Sequence, residues 1–125
     1  MGNCIKKKAV IPVAVLFEQF LMSRYCLDYL RFYDEITNYQ KTKFPSTESR
    51  VEAARNLFAK FLGNDEGLIH LETRTLAGIR NTLKRPTNTI FQDALFEIGA
   101  LLRSHYIDFV KANPRVNKQK ERREF

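Results

Sequence analysis

Cysteine is scarce in this 125-residue chain: Cys4 and Cys26 are the only two. Their surroundings differ, so they imply no disulfide framework, and a reducing compartment is the expectation. His70 and His105 stand alone, and no His, Cys or carboxylate group has metal-ligand spacing. No metal and no other cofactor is expected. A long apolar run is missing too. The longest covers residues 9–17 and is interrupted only by Pro12, whereas a membrane-spanning helix needs about 20 apolar residues. Lys6, Lys7 and Lys8 ahead of that run imitate a signal peptide. Glu18, Gln19 and Phe20 then stand where a small-residue cleavage site belongs, which argues against secretion.

Catalytic signatures are absent as well. There is no glycine-rich phosphate loop, nucleophile motif or internal repeat. The acidic pairs Asp34–Glu35 and Asp65–Glu66 are adjacent in sequence. Neighbouring residues on a helix do not face each other, and the second pair falls in the turn expected at Asn64, Asp65, Glu66 and Gly67. Both pairs read as solvated surface. No run alternates with a period of two, so no strand is required.

What the chain has in quantity is apolar and aromatic residue. Hydrophobic residues make up 44 %, with ten Phe and five Tyr, enough for the core of one domain. The net charge of +7 is unevenly placed. Lys6, Lys7 and Lys8 carry part of it, and from Lys111 onward six bases face two acids. Residues 9–110 hold twelve bases and twelve acids. The excess therefore sits in the two ends. Such ends serve solubility or meet an anionic surface, and the neutral body argues against a nucleic-acid partner. Residues 1–10 read as a basic N-terminal segment, 11–114 as the folded domain and 115–125 as a basic C-terminal tail.

The start of the chain holds the parts of a lipid anchor. Removal of Met1 exposes Gly2, with Cys4 close behind. Myristoylation favours Ser or Thr where Lys6 stands, so the match is partial. A single acyl chain binds membranes only marginally, with K of about 10⁴ M⁻¹. Three lysines near anionic lipid add about 1 kcal/mol each, and a palmitoyl group on Cys4 makes attachment stable. The alternative is an ordinary flexible terminus.

The apolar spacing is helical almost throughout. A first helix is expected over Val13–Ser23, started by Pro12 and facing inward with Val13, Leu16, Phe17, Phe20 and Leu21. A second covers Leu27–Lys41, with Leu27, Leu30, Tyr33, Ile36 and Tyr39 as its stripe. After the break at Phe44 and Pro45, Ser49 and Glu52 have capping-box spacing, although Ser46 or Thr47 also suits a cap. That helix shows Val51, Ala54, Leu57, Phe58, Phe61 and Leu62 inward and stops at Gly63. A fourth helix is expected over 71–83, ended by Pro86. A fifth starts near 87–89 and breaks or caps at Ser104, and a short sixth covers 105–112. Pro114 closes the domain.

Phe17-Glu-Gln-Phe-Leu21, followed by Tyr25-Cys-Leu-Asp-Tyr-Leu30-Arg-Phe-Tyr33, resembles the pattern of the regulator of G-protein signalling (RGS) family. There a helix with F-x-x-F-L leads by a short loop into one with E-N-L-x-F-W. Ala53 to Leu62, then Ile79 to Leu83, then Phe91 to Ala94, and finally Leu101, Leu102 and Tyr106 to Val110 continue the likeness in order. It spans 17–113. Only sixteen residues precede it, so the family's first helices look shortened or missing.

The resemblance implies an all-α, RGS-like bundle of about six to eight helices with a shortened N-terminal part. It also implies a cytoplasmic protein, at the inner face of the plasma membrane if anchored. The partner is the α subunit of a heterotrimeric G protein (Gα), whose GTP hydrolysis the family accelerates. Gα supplies its own arginine and glutamine, so the regulator is not an enzyme. The family's contact loops map to 24–29, 63–71 and 101–108, giving Asp28, Tyr29, Leu68, Ile69, Leu101, His105 and Asp108 as implied contacts. Asp28 keeps a carboxylate and Leu101 keeps a leucine. Tyr29, and Leu68 or Ile69, replace asparagines. The Asp and Arg expected beyond Leu101 fall near Ser104 or His105 and near Asp108 or Phe109, and are not retained. An interaction module of the same fold, without GTPase activation, is the alternative.

Overall fold

The computed structural model describes residues 11–63, 68–118 and 123–125. Among these residues five α-helices follow one another: α1 (Val13–Ser23), α2 (Leu27–Lys41), α3 (Thr47–Phe61), α4 (Thr73–Thr82) and α5 (Gln92–Ala112). A 3₁₀ helix, Pro114–Lys118, comes after them. The all-helical expectation holds, and no strand occurs among the described residues. The expected count of six to eight helices does not hold, because α5 runs through Ser104 without a break. Ser104 is exposed, and an exposed serine costs a helix interior only a fraction of a kcal/mol, roughly 0.5. That is too little to split a helix buried at Ile98, Leu102, Tyr106 and Phe109.

The ends of each helix have local causes. Pro12 precedes α1, and its carbonyl accepts from Val15 and Leu16 N–H at 3.0 and 3.1 Å. Ser46 caps α3, accepting from Ser49 N–H at 3.1 Å. The cap is thus the earlier serine and not Ser49. α3 ends before Gly63, where a Cβ would stand 2.9 Å from the Ala59 Cα, so any larger residue forces the backbone apart. α4 is shorter than the expected 71–83. Its start is held by Glu97, whose carboxylate accepts from Glu72 N–H and the Thr75 hydroxyl, each at 2.8 Å. A carboxylate at a helix N-terminus also meets the positive end of the helix dipole.

α2 lies among α1, α3 and α5 and contacts all three. Its buried residues are Leu30, Phe32, Ile36 and Tyr39. At about 100° per residue, Leu30 and Phe32 point to nearly opposite sides. A helix covered on several sides buries more than one stripe, and for that reason Phe32, fully buried, falls outside the single stripe expected for α2. Tyr33, expected inward, is half-buried instead.

Two aromatic clusters join the helices. Phe32 packs on Phe61 at 4.8 Å and on Phe91 at 6.2 Å between centroids. Phe17 meets Tyr106 at 5.1 Å and Phe109 at 5.3 Å. The chain beyond Pro114, expected as a polar tail, adds to this second cluster: Val116 is buried, and Phe125 lies 5.8 Å from Phe17 and 5.3 Å from Tyr33. Arg123 pairs with Asp34.

Candidate functional site

Among the described residues, the first of the segments implied as contact loops is bonded to the third through Arg24 and Cys26, and to the end of the middle one through Tyr29. The turn between α1 and α2 is their hub. Cys26 N–H donates to Leu21 C=O at 2.8 Å and Tyr25 N–H to Met22 C=O at 3.1 Å. This pair of bonds is the Schellman arrangement, whose left-handed residue is usually glycine. Here it is Tyr25, at φ +59°. A left-handed non-glycine residue costs about 1–2 kcal/mol. Its side chain is 94 % exposed, so no burial of the ring offsets that cost.

Arg24 ties this turn to α5. Its guanidinium donates to the Asp108 carboxylate at 2.8 Å and to His105 Nδ1 at 3.1 Å, while resting 4.3 Å over the Phe20 ring. Arginine only donates, so Nδ1 is the acceptor and neutral His105 carries its proton on Nε2. Nε2 lies 3.6 Å from Cys26 Sγ, and the Cys26 thiol donates to Arg24 C=O at 3.3 Å. Arg24, His105 and Cys26 close a ring of hydrogen bonds, and Asp108 is attached to it at the Arg24 guanidinium. Burial first, then the Arg24 charge, hold His105 below its usual pKa, with Asp108 opposing. The hydrogen bond from Arg24 is the main cause holding Asp108 below the usual carboxylate value.

This ring is not a nucleophilic Cys–His site. Such a site needs an unprotonated ring nitrogen toward the thiol and an acceptor orienting the other nitrogen. The guanidinium at Nδ1 enforces the reverse.

The middle segment is joined by backbone. His70 N–H donates to the Tyr29 hydroxyl at 3.3 Å, and Ile69 N–H to Phe61 C=O at 3.2 Å. Asp28 is half-buried in the first turn of α2, and Leu68 is half exposed. Leu101 is 38 % exposed and lies one helical turn before His105. Ile69 is buried, at 4 %, so its side chain belongs to the core. Of the residues named from sequence, Tyr29, His105 and Asp108 are bonded into the junction, with Asp28, Leu68 and Leu101 beside them on the same segments. Arg24, Tyr25 and Cys26 were not named. The roles of Arg24 and Cys26 come from contacts between residues about 80 positions apart, which leave no local pattern in sequence, and that of Tyr25 comes from a backbone conformation that usually selects glycine.

Gly2, Cys4, Lys6, Lys7 and Lys8, and the turn at Asn64, Asp65, Glu66 and Gly67, lie outside the described residues. Among the described residues no group of three or more side chains is suited to hold a metal. No helix there is long and apolar enough to cross a membrane.

A family model described as "Regulator of G protein signaling domain" matches residues 9–113. A search of curated proteins finds no match.

Proposed function

The chain belongs to the regulator of G protein signaling domain family, and from that premise we propose that it binds the α subunit of a heterotrimeric G protein at its switch segments and accelerates GTP hydrolysis. The observation that carries this reading is Tyr25, a strained left-handed residue with its ring exposed in the α1–α2 turn, between Arg24 and Cys26. Backbone strain with no gain in burial is characteristic of binding sites. Tyr25, Leu68 and Leu101 supply apolar contact, and Asp28 supplies charge. The Arg24–Asp108 tie holds the face in one shape.

The mechanism is differential affinity. Gα provides the arginine and glutamine that act on the phosphate and the attacking water. The regulator contributes no catalytic group. A rigid face that fits the switch segments better in the transition state than in the ground state lowers the barrier by that difference. Each 1.4 kcal/mol is about tenfold in rate.

A second reading, binding without acceleration, is favoured by Tyr29. It stands where the family has an asparagine, and its hydroxyl is already occupied by His70 N–H. The buried Ile69 likewise offers no amide to a switch residue. Binding of the chain to purified Gα in GDP, GTP-analogue and GDP–aluminium fluoride forms separates the two. Preference for the aluminium fluoride form supports the activator. Equal binding to all three supports the module, and no binding to any Gα class overturns both.

We also propose that Gly2, Cys4 and the three lysines after them attach the chain to the inner face of the plasma membrane, where Gα subunits reside. Intact mass of the chain expressed in eukaryotic cells tests this. An added acyl mass lost on Gly2→Ala or Cys4→Ser supports it, and an unmodified mass overturns the lipid anchor.

A further inference from the structure

α5 carries an apolar line that stands outside the core. Phe96 is 71 % exposed and Ile107 51 % exposed, with Ala100 and Arg103 exposed between them. These positions succeed one another at steps of four, three and four, which keeps them on one face of the helix. The buried side chains of α5, Ala94, Ile98, Leu102, Tyr106 and Phe109, lie on the other side, and the buried Gly99, against Tyr33, borders the line. Phe96 and Ile107 belong to neither the core nor the residues packed against it. The Arg103 guanidinium is drawn aside by its 2.9 Å bond to the backbone oxygen of Phe125, leaving the aliphatic stem along the line.

The chemistry along this line reads nearly the same in both directions with charge complementarity. From the N-terminal end the order is Asp93, Phe96, Ala100, Arg103, Ile107, Lys111. A second α5 laid antiparallel sets Asp93 against Lys111 at both ends, Phe96 against Ile107, and the Arg103 stem over Ala100. At about 100° per residue Asp93 and Lys111 fall on the same flank, which an antiparallel twofold contact requires. Both are exposed, and neither is in an ion pair among the described residues. A parallel pairing instead places Asp93 on Asp93 and Lys111 on Lys111.

We propose that this face of α5 is the twofold interface of a homodimer. A self-complementary patch is what an isologous contact needs, and the small Ala100 lets the axes approach to about 8–10 Å. One helix pair buries less than the roughly 1,200–2,000 Å² of a standard stable interface, so the dimer is weak and concentration-dependent. Leu101, His105 and Asp108 lie about a third of a turn or more from Phe96 around α5, and only Lys111, three residues beyond Asp108, borders both faces. The dimer therefore leaves the junction with Arg24 and Tyr25 open, and it stands whether or not the chain binds Gα.

Sedimentation equilibrium of the full chain over a wide concentration range tests the proposal. A monomer–dimer equilibrium is expected. Phe96→Glu abolishes it. Asp93→Lys or Lys111→Asp alone weakens it about tenfold, by turning two attractions into repulsions, and the two together restore it. All three positions are exposed, and thermal melts by circular dichroism confirm that each variant folds. A monomer at every concentration overturns the proposal, as does a dimer indifferent to Phe96→Glu and to the charge swap. A monomer that sediments with phosphatidylserine vesicles through Phe96 also overturns it, and assigns the line to a lipid surface.

Discussion

Arg24 Nη1 stands 2.8 Å from Asp108 Oδ2 and joins two segments 84 positions apart in sequence. The pair is part-exposed, so solvent screens it and its direct contribution to stability is small. Its role is to hold the α1–α2 turn against α5. Arg24→Ala therefore lowers stability only modestly, mainly through the lost stacking on Phe20, while weakening Gα binding by more than that loss explains. Urea denaturation beside a binding titration checks both.

Acid loosens the same junction. The folded pKa of His105 is lowered from 6.5, so between the lowered value and 6.5 the unfolded chain binds more protons than the folded one. Stability then rises with pH. The contribution of neutral His105 is complete above 6.5 and is lost as pH falls through the lowered value. Asp108, lowered from 3.8, adds a further loss in stronger acid: its contribution is present above 3.8 and disappears as pH falls through its folded value. Replacing His105 with Gln keeps a polar side chain without the titration. The slope of unfolding free energy between about pH 7 and pH 5 is expected to flatten in that variant.

Tyr25 separates stability from binding. At a left-handed position, Tyr25→Gly removes a cost of about 1–2 kcal/mol but gives the unfolded chain more freedom, worth about 0.5–1 kcal/mol. The variant is expected to be as stable as the parent or up to about 1 kcal/mol more so. Tyr25→Val, β-branched at positive φ, is destabilised. Both lose the exposed ring and bind Gα more weakly. A Tyr25→Gly chain that is less stable than the parent contradicts the strain assigned here.

Phe32 is fully buried between Phe61 and Phe91. Phe32→Ala is expected to cost about 3–5 kcal/mol through lost burial and the cavity left behind. The half-buried Tyr33, in contact with Phe125 at the edge, costs less on the same change. Thermal melts of the two variants rank them.

The helices were largely legible in sequence. Both ends of α1 and α2 coincide with the apolar periodicity, and Gly63 marks the end of α3 as its spacing implied. The departures have physical causes. One stripe per helix is the right expectation for a helix on a surface, and α2 is central, so Phe32 was missed. Ser49 and Glu52 have capping-box spacing, but Ser46 lies three residues before Ser49 and takes its N–H first. Ser104 reads as a break by propensity, which packing of Leu102 and Tyr106 overrides.

The site was legible only as segments. Resemblance marks out the loops, and Asp108 and His105 are bonded to Arg24 in the first of them. No periodicity announces that Arg24 reaches both of them, or that a tyrosine occupies a turn position that glycine usually fills. Ile69 was named beside Leu68, and only burial separates the core residue from the exposed one.

Single-turnover GTP hydrolysis by purified Gα, with and without a saturating amount of this chain, tests the central claim most directly. The account predicts faster hydrolysis with the chain present, and loss of most of that gain with Tyr25→Ala. An unchanged rate at a concentration where binding is complete contradicts activation and leaves the chain as a binding module of the family.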